Sequence, residues 1–182
     1  EALEASRRTL GDEHPTTIAW IGYMGNLLYQ QGQYTEAEPL LREALEASRR
    51  TLGDEHPTTI AWIDYMANLL HKQGQYTEAE SLYREALEAS RRTLGDEHPT
   101  TIAWIGYMGN LLYQQGQYTE AEPLYREALE ASRQTLGDEH PDTIHWIGSM
   151  GGLLLEQGQY TEAESLYREA LEASRQTLGD EH

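Results

Sequence analysis

The chain has no cysteine, a single lysine and no long apolar run. Without cysteine there is no disulfide framework and no thiol chemistry, which suits a reducing compartment, and we expect a cytoplasmic protein. No segment approaches the roughly 18 apolar residues that a membrane span needs. The formal net charge is −18, from 31 acidic residues against 13 lysines and arginines. Because nucleic-acid binding needs a basic face that displaces counterions from phosphates, we expect neither nucleic acid nor a membrane as partner.

An internal repeat organises the whole sequence. Histidine recurs at a constant step of 42 residues (56 − 14), at His14, His56, His98, His140 and His182. A period of roughly 20–50 residues is typical of a repeat array, in which each unit packs on its neighbours. We therefore expect one array over residues 1–182, made of a partial helix B (1–8), four repeats (9–50, 51–92, 93–134 and 135–176) and the start of a further unit (177–182).

Each repeat predicts two helices. Gly11 suits the positive φ of a helix C-cap and Pro15 suits the first turn of the next helix, here called helix A. From residue 15 to about residue 31, apolar residues recur at three- and four-residue steps, as in an amphipathic helix. Gly32 ends helix A, and a tight link leads into helix B. Two such helices form an antiparallel hairpin, and stacked hairpins give an all-α solenoid.

Helix B carries its own start signal. Thr35 and Glu38 have the spacing of a capping box, and Pro39 is expected within the first turn, where a missing N–H costs least. Small residues on the inner face, such as Ala44, allow close helix packing. The outer face predicts glutamate–arginine pairs at i,i+4, namely Glu38–Arg42 and Glu46–Arg50.

These residues resemble the tetratricopeptide repeat family. The resemblance rests on Ile21, Met24, Gly25, Leu28, Gly32, Tyr34, Ala37, Leu41 and Ala44, and it extends over all four repeats. The 42-residue length and the LGDEHP linker are similar to the kinesin-light-chain and nephrocystin-3-like branch. The resemblance implies a right-handed superhelical solenoid whose A helices line a concave face. A carboxylate clamp or a basic cargo pocket is not expected, because Lys72 is the only lysine on these helices.

The repeats differ from one another mainly along one side of helix A. Repeats 1 and 3 differ at only two positions, whereas repeats 2 and 4 change residues that fall together on a helical wheel. The bland interpretation is that this side is merely free of packing; the sharper one is that it contacts a partner. The constant outer side of helix B favours the second interpretation. The candidate peptide-binding residues are Ala19, Gly22, Tyr23, Asn26, Tyr29, Gln30, Asp64, Tyr65, Asn68, His71, Lys72, Tyr107, Asn110, Tyr113, Gln114 and His145.

The composition of this side is typical of a binding surface. Tyrosine offers a large contact area with a polar end, and asparagine can both donate to and accept from a peptide backbone. Asparagine on helix A also resembles the way in which family members hold peptides. Glycine in the middle of a helix, as at Gly22, lowers helix stability by about 1 kcal/mol relative to alanine. Neutral sequence drift and close approach of a ligand explain its presence equally well. The expected partner is a protein or peptide of neutral, aromatic or basic character.

Other constellations point to structure rather than chemistry. The tryptophan at position 20 and its equivalents lie on the unchanging side, so we expect them in the core between repeats. The recurring histidines are far apart, so we expect helix starts rather than a metal site. Neither a nucleophile nor an oxyanion device accompanies Asp64, His71 and Lys72, so we expect no enzyme and no cofactor. The expected function is an interaction scaffold that holds an extended peptide or partner segment. The alternative is a structural spacer or a self-associating array within a larger signalling protein. In that case the uncapped ends are expected to allow head-to-tail contact.

Overall fold

Each repeat folds into a helical hairpin, as seen in a computed structural model that describes residues 2–178. Over these residues the chain forms nine α-helices and no strand, which confirms the all-α class of helix hairpins. The predicted further unit at 177–182 lies almost wholly outside the described residues. The helices are α1 (Ala2–Leu10), α2 (Pro15–Gln30), α3 (Tyr34–Leu52), α4 (Pro57–Lys72), α5 (Tyr76–Leu94), α6 (Pro99–Gln114), α7 (Tyr118–Leu136), α8 (Pro141–Glu156) and α9 (Tyr160–Leu178).

The chain divides into two units, residues 1–89 and 90–182, and the division falls within α5. In the first unit, α1 packs on α2, and α3 packs against both α2 and α4. In the second unit, the α6/α7 hairpin packs on the α8/α9 hairpin through α7 and α8. The helices α2, α4, α6 and α8 are the A helices of the four repeats.

Histidine begins every A helix. His14 is the N-cap of α2, and its Nδ1 accepts a hydrogen bond from the backbone N–H of Thr16 at 3.2 Å. Pro15 follows at the first helical position, and Gly11 before it has a φ of 87°. The same cap recurs at His56, His98 and His140. This confirms that the histidines start helices; His182 lies outside the described residues.

The predicted start of helix B is wrong by two residues, because the N-cap is Gln33 and not Thr35, and the capping box is therefore absent. Gly32 turns the chain with a φ of 76°, and α3 then begins at Tyr34 with Gln33 as its N-cap and no side-chain cap. Thr35 is therefore already inside the helix and cannot cap it. Pro39 consequently lies in the second turn rather than the first.

Ion pairs between repeats join the B helices. Arg42 contacts both Glu38 at 3.1 Å, as predicted, and Glu78 of the next repeat at 2.9 Å. The predicted pair of Glu46 with Arg50 is not formed, because Arg50 contacts Glu13 instead. A ladder of pairs with a 36-residue step consists of Arg7–Glu43, Arg49–Glu85, Arg91–Glu127 and Arg133–Glu169. These residues are therefore constant for a structural reason. Their constancy is weaker support for a partner on the variable side of helix A than the sequence analysis assumed.

The tryptophans are core residues with one exception. Trp62, Trp104 and Trp146 are 3%, 4% and 3% exposed, which confirms the prediction for these three. Trp20 is 44% exposed, so the prediction is wrong in the first repeat. The reason is that α1 is only 9 residues long, against 19 for the full B helices, and covers only part of α2.

Candidate functional site

The predicted site residues lie on the accessible side of the A helices, except for Gly22. On the opposite side of every A helix an isoleucine is buried in the hairpin core, namely Ile21, Ile63, Ile105 and Ile147. The half-buried or exposed candidates are Ala19, Tyr23, Asn26, Tyr29 and Gln30 on α2; Asp64, Tyr65, Asn68, His71 and Lys72 on α4; Tyr107, Asn110, Tyr113 and Gln114 on α6; and His145 on α8.

Gly22 has a packing role rather than a binding role. It is buried, and a Cβ atom at this position would lie 2.4 Å from two ring carbons of Trp62 in the next repeat. In the same way, a Cβ atom on Gly106 would lie 2.1 Å from a ring carbon of Trp146. Neither helix drift nor ligand approach is needed to explain these glycines, because an indole ring occupies the space where a side chain would lie.

The asparagines of repeats 2 and 3 are hydrogen-bonded to tyrosines of helix B. The hydroxyl of Tyr83 donates to Asn68 Oδ1 at 3.0 Å, and that of Tyr125 donates to Asn110 Oδ1 at 2.6 Å. Repeat 1 has Leu41 in place of the tyrosine, and Asn26 Oδ1 is buried with no partner. These bonds fix the amide groups, so that the acceptor of each bonded asparagine is already used inside the hairpin.

Asp64 places a partly buried carboxylate on α4. Asn68 donates to Asp64 Oδ1 at 2.7 Å, which extends the hydrogen-bonded chain that begins at Tyr83. Burial raises the pKa of Asp64, while the bond from Asn68 opposes the increase. The pKa of Tyr29 is raised by its own burial, then by Tyr34 and by the Asp64 charge. Burial therefore disfavours the charged form of Asp64, and a nearby cationic group would stabilise it.

A groove lies between α6 and α8 in the second unit. Its volume is about 440 Å³. Asn110, Tyr113 and Gln114 form one wall, and His145 lies on the other. Five residues that the sequence analysis did not select also line it: Tyr125, Ile144, Gly148, Ser149 and Gly152. Four of the candidate residues thus come together at one cavity.

Small residues of repeat 4 open this groove. Ser149 and Gly152 stand where repeat 3 has Tyr107 and Asn110, and the exchange removes side-chain volume from α8. The sequence carried this signal, because both positions belong to the variable side of helix A. From sequence alone, the exchange of a tyrosine and an asparagine for smaller residues indicates lost contacts, whereas in the structure the exchange makes room for the groove.

Burial shifts the pKa values of two groove residues, Tyr113 and His145. The pKa of Tyr113 is raised, first by burial and then by Glu156, Tyr118 and Tyr167. The pKa of His145 is lowered by partial burial, and Asp142 only partly offsets this. The His145 ring packs edge-on against Trp146, with ring centroids 4.5 Å apart. The groove is therefore lined by neutral aromatic and amide groups at pH 7.

The remaining features of the described residues do not form a second chemical site. A cavity of about 510 Å³ lies among α7, α8 and α9, but it is lined largely by residues that every repeat shares, such as Leu129 and Glu130. Within residues 2–178, no three His, Asp or Glu side chains converge as a metal site would require. Over the same residues, every helix is too short or too polar to span a bilayer.

Comparison with known proteins gives matches to repeat families and repeat structures. One model described as tetratricopeptide repeat matches residues 17–58 and 59–100, and a second matches residues 100–176. The nearly identical TPR-like repeats attributed to a kinesin light chain of Podosopora anserina superpose with a TM-score of 0.84 at 26% identity, over 96% of this chain and 82% of that one. No curated protein sequence matches the chain.

Two further solved structures share the fold at lower identity. BtubC (BKLC) from P. vanneervenii has a TM-score of 0.80 at 23% identity, over 98% of this chain and 71% of that one. The apo form of RapI has a TM-score of 0.82 at 15% identity, over 96% and 61%.

Proposed function

Because the chain belongs to the tetratricopeptide repeat family, whose members are protein–protein interaction scaffolds and are generally not enzymes, we propose that it holds an extended peptide or partner segment along its A helices. The observation that carries the proposal is the groove between α6 and α8, because four of the residues predicted to bind a peptide converge on it. Its volume is within the range of about 300–1,000 Å³ that small ligands occupy, which suits one or two side chains of a peptide.

The groove favours an aromatic or neutral side chain of the partner. Tyr113 and His145 present neutral rings, and rings prefer edge-on or offset contact with other aromatic groups. Asn110 has its acceptor bonded to Tyr125, which leaves the Nδ2 donor for a carbonyl group of the partner backbone. The sequence suggested that asparagine both donates to and accepts from a peptide backbone; for Asn110 we propose the donor role alone.

In the first unit, Asp64 favours a basic group of a partner. Its carboxylate is partly desolvated, and a guanidinium or ammonium group would compensate the loss of water. The net charge of −18 also attracts a basic segment at long range, although salt weakens that attraction. The chemistry proposed for a partner of the α6/α8 groove is therefore aromatic or neutral, and that proposed for a partner at Asp64 is basic.

A peptide-display selection against the intact chain tests the proposal. The affinity of a selected peptide is then measured for the wild type and for Tyr113→Ala, with Glu46→Ala on the outer side of α3 as control. We expect Tyr113→Ala to weaken binding by about tenfold or more, corresponding to about 1.4 kcal/mol, and the control to change nothing. Equal affinities for all three proteins would show that the partner binds elsewhere.

A further inference from the structure

A second cavity adjoins the groove at Tyr113. It lies near the starts of α6 and α8 and has a volume of about 300 Å³. His145 lines both cavities, so the two lie next to each other along the same pair of helices. The walls of the second cavity include Tyr107 of α6, Leu136 of α7 and Trp146 of α8. The helices α6 and α8 therefore border a longer binding surface than the groove at Tyr113 alone.

Two residues that only repeat 4 carries line this second cavity. Asp142 stands where the other repeats have threonine, as at Thr100, and His145 stands where they have alanine, as at Ala103. Because residues three positions apart are neighbours on a helix surface, both side chains belong to one side of α8. The cavity therefore has a charged group that the equivalent positions of the other repeats lack.

The carboxylate of Asp142 is not neutralised by a basic side chain of the described residues. His140 Nδ1 lies 3.8 Å from the carboxylate. This nitrogen accepts a hydrogen bond from the backbone N–H of Asp142, so it has no proton to donate to the carboxylate. In the preceding linker Asp138 is paired with Arg133, whereas Glu139 is exposed and adds a further negative charge. The start of α8 therefore attracts a cationic group.

The walls of the cavity suit the head group of a basic side chain. The rings of Tyr107 and Trp146 lie with their centroids 6.1 Å apart, and aromatic faces attract cations. Ser132 is 0% exposed, lines the cavity from α7, and has an Oγ without a hydrogen-bond partner. Ammonium and guanidinium groups carry several N–H donors, which both a carboxylate and an unpaired hydroxyl oxygen can accept. Burial lowers the pKa of His145, so its ring is neutral at pH 7 and does not repel a cation.

We propose that this second cavity binds a lysine or arginine side chain of the same peptide whose aromatic or neutral residue lies in the groove at Tyr113. The site rests on the proposed function, because the groove holds the rest of that peptide. On α8 the two cavities are represented by Asp142 and Ser149, which are seven positions apart (149 − 142). At about 1.5 Å per helical residue this is about 10 Å, and an extended peptide advances about 3.3 Å per residue. The basic residue should therefore lie about three positions from the aromatic one.

A heptapeptide library with a fixed central tryptophan and random residues elsewhere tests the site. It is selected in parallel on the full wild-type chain and on Asp142→Thr, which introduces the residue of the other repeats. On the wild type we expect lysine or arginine to be enriched at an end position, three residues from the tryptophan. On Asp142→Thr that enrichment should disappear. An equal frequency of basic residues in the two selections would overturn the inference.

Affinities from isothermal titration calorimetry provide a second readout. A selected peptide and its norleucine version, in which the basic residue is replaced, are compared on the wild type, Asp142→Thr and Glu139→Gln. Asp142→Thr should weaken the basic peptide by about fivefold or more and leave the norleucine peptide nearly unchanged. Glu139→Gln removes an equal charge from a residue that does not line the cavity, and it should affect neither peptide strongly.

Urea unfolding of Asp142→Thr distinguishes binding from helix stability. An aspartate in the first turn of a helix stabilises that helix through the dipole. If Asp142 had this role alone, the substitution would lower the free energy of unfolding and would affect the basic and the norleucine peptide equally. That result would overturn the inference.

Tyr113→Ala separates the basic site from the groove of the proposed function. It should weaken the basic and the norleucine peptide to the same extent, because both carry the tryptophan. If Tyr113→Ala weakens both peptides while Asp142→Thr does not distinguish them, the basic site is wrong and the groove stands. If Asp142→Thr distinguishes the peptides while Tyr113→Ala changes neither, the basic site is upheld and the groove assignment is wrong.

Discussion

Replacing glycine by alanine in the middle of helix A should have opposite effects in repeats 3 and 4. In a helix interior alanine is better than glycine by roughly 0.8–1.0 kcal/mol. At Gly148 the added methyl group meets nothing within 4 Å, so this gain remains and Gly148→Ala should stabilise the protein by about 1 kcal/mol. At Gly106 the methyl group would lie 2.1, 2.3 and 2.5 Å from three ring carbons of Trp146.

At Gly106 the overlap with the Trp146 ring determines that the substitution lowers stability. Carbon atoms prefer separations of about 3.5–4.0 Å, so the ring must move by more than an ångström, and Trp146 is only 3% exposed. Overpacking of this kind typically costs about 1–3 kcal/mol, and the size of the overlap places Gly106→Ala near the upper end. After the gain from helix propensity, we expect a net loss of about 2 kcal/mol.

Urea unfolding monitored by circular dichroism measures both variants, with the midpoint compared at an unchanged m-value. A double-mutant cycle identifies the cause: in a Trp146→Ala background, Gly106→Ala should stabilise by about 1 kcal/mol, as at Gly148. The reasoning is refuted if the two glycines respond alike, or if Gly106→Ala remains destabilising after the ring has been removed.

Two further substitutions test the polar groups along helix A. Leu41→Tyr should stabilise by about 1 kcal/mol in urea unfolding, because the new hydroxyl can donate to Asn26 Oδ1, which is buried without a partner; a loss of stability would show that the tyrosine does not fit repeat 1 as Tyr125 fits repeat 3. Asp64→Asn should be more stable than the wild type at pH 7. Since the folded state raises the pKa of Asp64, its ionisation costs stability as pH rises, so the advantage of the variant should vanish below pH 3.8 and grow towards neutral pH; a pH-independent difference would contradict this.

Local signals in the sequence predicted the helices well. The glycine with positive φ, the histidine cap and the proline that follows it act within a few residues of each other, so Gly11, His14 and Pro15 were enough to place the start of helix A. The capping box failed because the turn at Gly32 starts α3 at Tyr34, two residues earlier than a Thr35 cap would, and this depends on the path of the link.

Contacts between distant residues were harder to predict. Gly22 appeared available for a ligand because its neighbour in space, Trp62, belongs to the next repeat. The bond of Asn110 with Tyr125 joins two helices of one hairpin, and helical periodicity assigns each residue to a face without pairing them. The variable side of helix A was nevertheless predicted correctly as accessible, because the isoleucine on its opposite side, Ile21 and its equivalents, is buried in every hairpin.

The most direct test of the proposed groove is photo-crosslinking to a peptide obtained by display selection. A photoreactive phenylalanine replaces Tyr113 in one protein and Glu46 in another, and mass spectrometry locates the crosslinked peptide. We predict that the peptide crosslinks at position 113, where α6 faces the groove, and not at position 46, which lies exposed on α3. Crosslinking at position 46 with none at position 113 would contradict a binding surface on the A helices.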